Sequence, residues 1–99
     1  MTTKVGSVDE IREGTAKVVS VDGEDVAVFK HEGQFYAIQH TCPHKGGPLG
    51  EGELDGDVVT CPWHGWKFDI KTGVSPVLPT AKVKTYKVDV KGNEVWVEG

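Results

Sequence analysis

Two short motifs in this chain carry the side chains best suited to bind a redox metal. The first motif places Cys42 two positions before His44, and the second places Cys61 three positions before His64. Thiolates and neutral imidazoles, two of each, match the ligand set of a two-iron, two-sulfide cluster with mixed coordination. We therefore expect these four residues to be the metal ligands.

Two other uses of the same residues stay open at this point. A disulfide between Cys42 and Cys61 could contribute about 3 kcal/mol to stability, but a disulfide needs no histidines beside it. Zinc would accept two cysteines and two histidines. Structural zinc modules usually pair two cysteines and then two histidines, however, whereas each motif here pairs one cysteine with one histidine. The spacing therefore favours the two-iron cluster.

The length and composition predict a single β domain covering residues 1–99. Thirteen glycines lie between short runs rich in valine, threonine and aromatic residues, which is typical of a turn-rich all-β protein. The net charge of −4 and the scattered lysines argue against nucleic acid as a partner. No apolar run reaches the ~20 residues needed to span a membrane, and the amino terminus lacks an apolar signal segment. These features predict a cytoplasmic protein without a membrane partner.

Apolar alternation predicts a small antiparallel barrel or sandwich in which both motifs lie on loops beside strands. One helical turn is expected at Val8–Glu13, and the acidic run from Glu51 to Asp57 is expected to be a solvated connection that could also steer a basic partner. We find no internal repeat. The predicted strands are Thr15–Val21, Asp25–Lys30, Gln34–Gln39, Val58–Thr60, Lys67–Ile70, Thr85–Val90 and Glu94–Val97.

Residues outside the four candidate ligands have more ordinary expected roles. His31 should belong to a polar turn, and His40 should pack or hydrogen-bond at a strand end rather than bind metal. We expect Trp63 or Trp66 to shield the metal from water. Three glycines would let backbone amides approach the bridging sulfides closely; they are Gly46, Gly47 and Gly65.

The two motifs together resemble the signature of Rieske 2Fe-2S proteins, and the stretch from Phe35 to Gly73 is similar to Rieske-type ferredoxins throughout. This resemblance implies a Rieske-like β-barrel or sandwich with a cluster-binding subdomain of two loops, at about residues 40–80. It implies that one Rieske-type 2Fe-2S cluster binds with Cys42 and Cys61 on one iron and with His44 and His64 on the other. Ser75–Thr80 is similar to the proline loop that covers the cluster in this family.

Departures from the high-potential members of the family predict a low reduction potential. Those members carry an extra cysteine in each motif, where this chain has Gly47 and Trp63. They also carry a serine and a tyrosine whose hydroxyls stabilise the reduced state, where this chain has Trp66 and Phe68.

The resemblance implies a soluble one-electron carrier that is not itself an enzyme. Its partners would be a reductase, which we expect to be a flavoprotein, and a terminal oxygenase, and the carrier would be a monomer. The alternative is the small iron-sulfur subunit of an NAD(P)H nitrite reductase, bound to the large subunit. The catalytic α subunit of a ring-hydroxylating oxygenase has a similar second motif, but it needs a mononuclear iron site, and 99 residues leave no room for one.

Overall fold

The computed structural model describes residues 2–43, 46–63, 65–78 and 80–98, and these residues form nine β-strands. Within this part of the chain, helical structure is confined to two 3₁₀ turns, Val8–Glu10 and Leu49–Glu51, and no helix is long and apolar enough to cross a membrane. The strands are β1 Thr2–Ser7, β2 Ala16–Val21, β3 Glu24–His31, β4 Gln34–Gln39, β5 Glu53–Asp55, β6 Val58–Thr60, β7 Lys67–Asp69, β8 Thr85–Lys91 and β9 Glu94–Glu98.

The strands form two antiparallel sheets of unequal size. The large sheet has six strands in the order β1-β9-β8-β4-β3-β2, and its two edge strands approach each other, so the sheet curls towards a barrel. The small sheet has three strands in the order β5-β6-β7. An all-β antiparallel architecture was predicted from the sequence and is confirmed.

Strand β3 is buried on both faces and joins the two halves of the core. Val26 and Val28 point into the curled sheet, where they pack with residues of β1 and β9. Ala27 and Phe29 point to the opposite side, where they pack with β6, β7 and both cysteines. Because successive strand residues alternate between faces, the continuous apolar run of β3 supplies both halves of the core.

The seven predicted strands are all present, each within one residue of its expected ends. Two strands were missed. The acidic segment predicted to be a connection contains β5, whose Leu54 packs against the core, and the amino-terminal residues form β1 beside β9. The predicted helical turn is shorter than expected, because the backbone at Ile11 is extended and its side chain is buried.

A pair of glycines in left-handed turns tests how this fold tolerates a side chain. Gly73 and Gly56 both have positive φ, at +79° and +61°. A methyl group at Gly56 would meet no atom within 4 Å, whereas one at Gly73 would collide with the carbonyl oxygen of Val83. We therefore predict that Gly56→Ala costs about 1–2 kcal/mol for the left-handed backbone, and that Gly73→Ala costs a further ~1–3 kcal/mol for the collision.

Urea unfolding followed by tryptophan fluorescence measures both losses, with Gly56→Ala as the matched control. Equal losses of stability in the two variants would show that the segment around Val83 moves aside with no cost in the free energy of unfolding.

Candidate metal centre

The two cysteine motifs fold into loops of the same design. The first loop, residues 42–47, is closed by an antiparallel bridge between Thr41 and Pro48. The second loop, residues 61–66, is closed by the β6 to β7 pair of Thr60 with Lys67. Each is thus a six-residue connection that begins with a cysteine directly after a strand-like pair.

The hydrogen bonds inside the two loops also match. The N–H of Cys42 donates to the Gly47 carbonyl at 2.8 Å, and the N–H of Cys61 donates to the Trp66 carbonyl at 2.6 Å. In return the N–H of Gly46 donates to the Cys42 carbonyl at 2.8 Å, and the N–H of Gly65 donates to the Cys61 carbonyl at 3.1 Å.

A glycine stands at the fifth position of both loops because the backbone there is left-handed. The φ angles are +75° at Gly46 and +74° at Gly65, a region that residues with a Cβ disfavour. Our prediction of no internal repeat was therefore wrong. The sequence signal is the shared pattern Thr-Cys-Pro-x-x-Gly, beginning at Thr41 and at Thr60.

The two loops meet at Gly47. A Cβ atom at this position would lie 2.6 Å from the Sγ of Cys61 and 3.2 Å from the Cβ of Trp63. Cys42 and Cys61 are each 2% exposed and belong to the same apolar cluster between the sheets. Both cysteines lie within the described chain and neither forms a disulfide, so two buried thiols on adjoining loops fit the sulfur half of an iron-sulfur site.

The predicted histidine ligands, His44 and His64, lie outside the described residues. So does Pro79 of Ser75–Thr80, which we call the proline segment. The sequence places His44 third in the first loop and His64 fourth in the second. The described structure therefore brings together the cysteine pair, and ligation by the two histidines stays a prediction.

Side chains of two residues ahead of Cys42 anchor the first loop. Gln39 donates from Nε2 to the Thr41 carbonyl at 2.7 Å and accepts the N–H of Lys84 on Oε1 at 3.0 Å. On the other side, Nδ1 of His40 accepts the N–H of Gly50 at 3.0 Å. The hydrogen-bonding role predicted for His40 is confirmed, while the role of Gln39 had no signal in the sequence.

The proline segment is a loop closed at its base by three antiparallel contacts. These join Gly73 to Val83, Val74 to Lys82 and Ser75 to Ala81. Ser75 is 3% exposed, and its Oγ accepts the N–H groups of Val77 at 3.3 Å and Leu78 at 3.1 Å. Ser75 thereby fixes the shape of the loop, a role that the sequence analysis missed although a serine before proline is a common turn signal.

The two tryptophans of the second motif lie in different environments. Trp66 packs against the core, with its ring centroid 6.4 Å from that of Phe68, which is fully buried. Trp63 is 54% exposed. Of the two, Trp66 is the one placed to exclude water from the cysteines.

The acidic run divides into two parts. Glu51, Glu53 and Asp55 line a groove of about 630 Å³ beside Cys61. The Asp57 carboxylate instead lies 2.9 Å from Nε2 of His31 and pairs with Lys71 at 3.4 Å, which links β3 to the small sheet. The Asp57 carboxylate holds the pKa of Lys71 above its usual value, so Asp57 has a structural partner.

Comparison with known proteins agrees with this geometry. The Rieske [2Fe-2S] domain matches residues 1–87. The biphenyl dioxygenase ferredoxin subunit of Pseudomonas sp. (strain KKS102) is 43% identical over 98 residues, covering 97% of this chain and 90% of that protein.

Solved structures share the fold over nearly the whole chain. A chain from the complex of reduced oxygenase and oxidized ferredoxin in carbazole 1,9a-dioxygenase superposes with a TM-score of 0.90 at 37% identity, covering 99% of this chain and 93% of that one. A chain described as the small subunit of NADH-dependent nitrite reductase from Mycobacterium tuberculosis reaches 0.92 at 22% identity, covering 98% and 93%. The present chain, with its two buried cysteines on matching loops, belongs to the Rieske [2Fe-2S] domain family, whose cofactor is a Rieske-type 2Fe-2S cluster.

Proposed function

We propose that this chain is a one-electron carrier that passes electrons from a flavoprotein reductase to a terminal oxygenase. The observation that carries the proposal is the pair of matching loops, which meet at Gly47 and bring two buried thiols into one apolar cluster. We propose Cys42 and Cys61 as the ligands of one iron, and His44 and His64 as the ligands of the other. When bound, the 2Fe-2S cluster supplies reversible one-electron chemistry.

The protein contributes position and environment to this chemistry. Hydrogen bonds from Gln39 and His40 hold the first loop, and Ser75 holds the neighbouring proline segment. Fixed loops reduce the rearrangement that accompanies a change of charge, because the surrounding dipoles already point in suitable directions. Loops at one end of a small domain also leave a surface free for weak and short-lived docking.

The ferredoxin role is favoured over the nitrite reductase subunit by the degree of similarity. The named ferredoxin relative is 43% identical over nearly the whole chain, whereas the nitrite reductase small subunit shares 22%. A sequence identity of 22% supports a shared fold but not a shared function. We propose the cytoplasm as the location and a monomer as the free state.

Reconstitution with defined partners tests the function. The purified chain is mixed with NADH, the reductase and the oxygenase of a biphenyl dioxygenase system, and oxidation of biphenyl is measured with and without the chain. We expect turnover that depends on the chain and rises with its concentration. Turnover at the background level, with the cluster intact and reducible by dithionite, would contradict the oxygenase assignment; tight copurification with a flavin- and haem-containing chain would favour the nitrite reductase alternative.

Ligand substitutions test the proposed cluster residues. We predict that replacing any one of the four proposed ligands lowers the bound iron to less than about a tenth of the natural level, because every ligand is needed to hold the cluster. The variants are Cys42→Ser, Cys61→Ser, His44→Ala and His64→Ala. Iron and acid-labile sulfide analysis measures the loss.

Matched controls come from the other two histidines. We expect His31→Asn and His40→Asn to retain the full iron content, since asparagine can still accept a hydrogen bond at position 40. Loss of iron in these controls, or its retention in either His44→Ala or His64→Ala, would contradict the assignment.

The apolar wall beside the second loop predicts a low reduction potential. Phe68 is fully buried and Trp66 packs against it, so neither position offers a hydroxyl to the more negative reduced state. We expect a midpoint below about +150 mV, within the class range of roughly −150 to +300 mV. Protein-film voltammetry measures it, and Trp66→Ser combined with Phe68→Tyr should raise it. A natural midpoint above about +150 mV would contradict this account.

A further inference from the structure

Exposed apolar side chains lie on two segments beside the proposed cluster, the second cysteine loop and the proline segment. Within the described residues, three of the five large exposed hydrophobic side chains lie there: Trp63 at 54%, Val77 at 72% and Leu78 at 46% exposure. Trp63 belongs to the second cysteine loop, and Val77 and Leu78 belong to the proline segment. Isolated exposed hydrophobics are ordinary, but a group of them around one site marks an interaction surface.

A cleft lies between the second cysteine loop and the proline segment. The cleft has a volume of about 300 Å³, and its walls are Gly65, Trp66 and Lys67 on one side and Ser75, Val77 and Leu78 on the other. The hydrogen bonds to the Oγ of Ser75 fix the second wall. A cleft of this size accepts one large apolar side chain from a partner.

The acidic groove formed by Glu51, Glu53 and Asp55 lies on the other side of the second cysteine loop. It shares Gly65 and Lys67 with the apolar cleft, so the two form one continuous surface. Lys67 donates to Oγ1 of Thr60 at 2.9 Å. Three carboxylates against this single ammonium leave the groove negative, which complements a basic partner.

We propose that this continuous surface is the docking site for an electron-transfer partner that presents a large apolar side chain flanked by lysine or arginine. The apolar side chain enters the cleft and the basic groups face the acidic groove. With the 2Fe-2S cluster bound, this arrangement would hold the oxidised centre of the partner near the cluster, so that one electron would transfer with no bond made or broken. This inference rests on the proposed carrier function and specifies the chemistry of the partner.

The opposite end of the molecule provides matched control positions. Strand β8 begins beside Ile38 near the cysteine loops and ends at Lys91, about 20 Å away along the strand. Val90, near that far end, is 50% exposed, and Asp9 is exposed in the 3₁₀ turn that bonds to Asn93. A charge reversal at Asp9 changes the net charge as much as one at Glu53 does.

Ferric cytochrome c serves as the probe, because it is a basic haem protein whose exposed haem edge lies among lysines and apolar groups. The holoprotein is reduced with dithionite, freed of excess reductant, and mixed with cytochrome c in a stopped-flow instrument. At an ionic strength of about 0.05 M, where the Debye length of about 14 Å is shorter than the ~20 Å between the two ends of β8, we expect Glu53→Lys to slow the reaction about fivefold or more. We expect Asp9→Lys to stay within about twofold.

The apolar cleft is tested at about 0.15 M salt, where electrostatic steering is largely screened. We expect Leu78→Ser to slow electron transfer about threefold or more, and Val90→Ser to leave the rate nearly unchanged. Equal slowing by Glu53→Lys and Asp9→Lys, or equal rates for Leu78→Ser and Val90→Ser, would overturn the docking proposal.

The same samples separate this failure from failure of the carrier function. Every variant should keep the visible spectrum of the cluster and should be oxidised by ferricyanide, a small acceptor that needs no docking surface. If the natural protein itself lacks the cluster or takes no electron from dithionite, the proposed function fails as well. If it passes both tests while the matched pairs behave alike, only the docking surface is wrong.

Discussion

The contact between Gly47 and Cys61 determines how the two cysteine loops can be arranged. A Cβ at Gly47 would lie 2.6 Å from the Cys61 sulfur and 3.2 Å from Trp63, so a hydrogen atom is the largest group that fits without movement. The first loop can therefore approach the second only if its sixth residue is glycine. This approach brings two thiols from separate hairpins into one apolar cluster, and the rest of the structure supports that position.

The supporting framework consists of strands that are covered on both sides. Strand β3 packs into the curled sheet with one face and against the cysteine loops with the other. Strand β4 leads directly into the first loop, and Gln39 and His40 at its end bond to different neighbouring segments. Gln39 ends strand β4 and His40 follows it directly, so both side chains fix the loop to the central sheet. A ligand set needs such support in order to hold a metal in one geometry.

Local sequence patterns predicted most of the strands and the cysteine pair of the site. The strands followed from apolar alternation and glycine turns, and the cysteine pair followed from its spacing with histidine. The sequence did not predict β1 or β5, since β1 depends on pairing with the distant strand β9, and two of the three residues of β5 are charged. The roles of Gln39 and Ser75 depend on hydrogen bonds to backbone groups whose positions are set by tertiary packing. The repeat Thr-Cys-Pro-x-x-Gly was visible in the sequence, but it is short, and the different histidine positions obscure it.

We propose that the two matching loops together hold one two-iron cluster with unequal iron sites. Mössbauer spectroscopy of the purified, ⁵⁷Fe-labelled protein tests this directly, together with metal and sulfide analysis of the same sample. We expect two irons and two sulfides per chain and two iron signals of equal area, one from an iron bound by cysteine and the other from an iron bound by histidine. A single zinc ion per chain, or two equivalent iron signals, would contradict it.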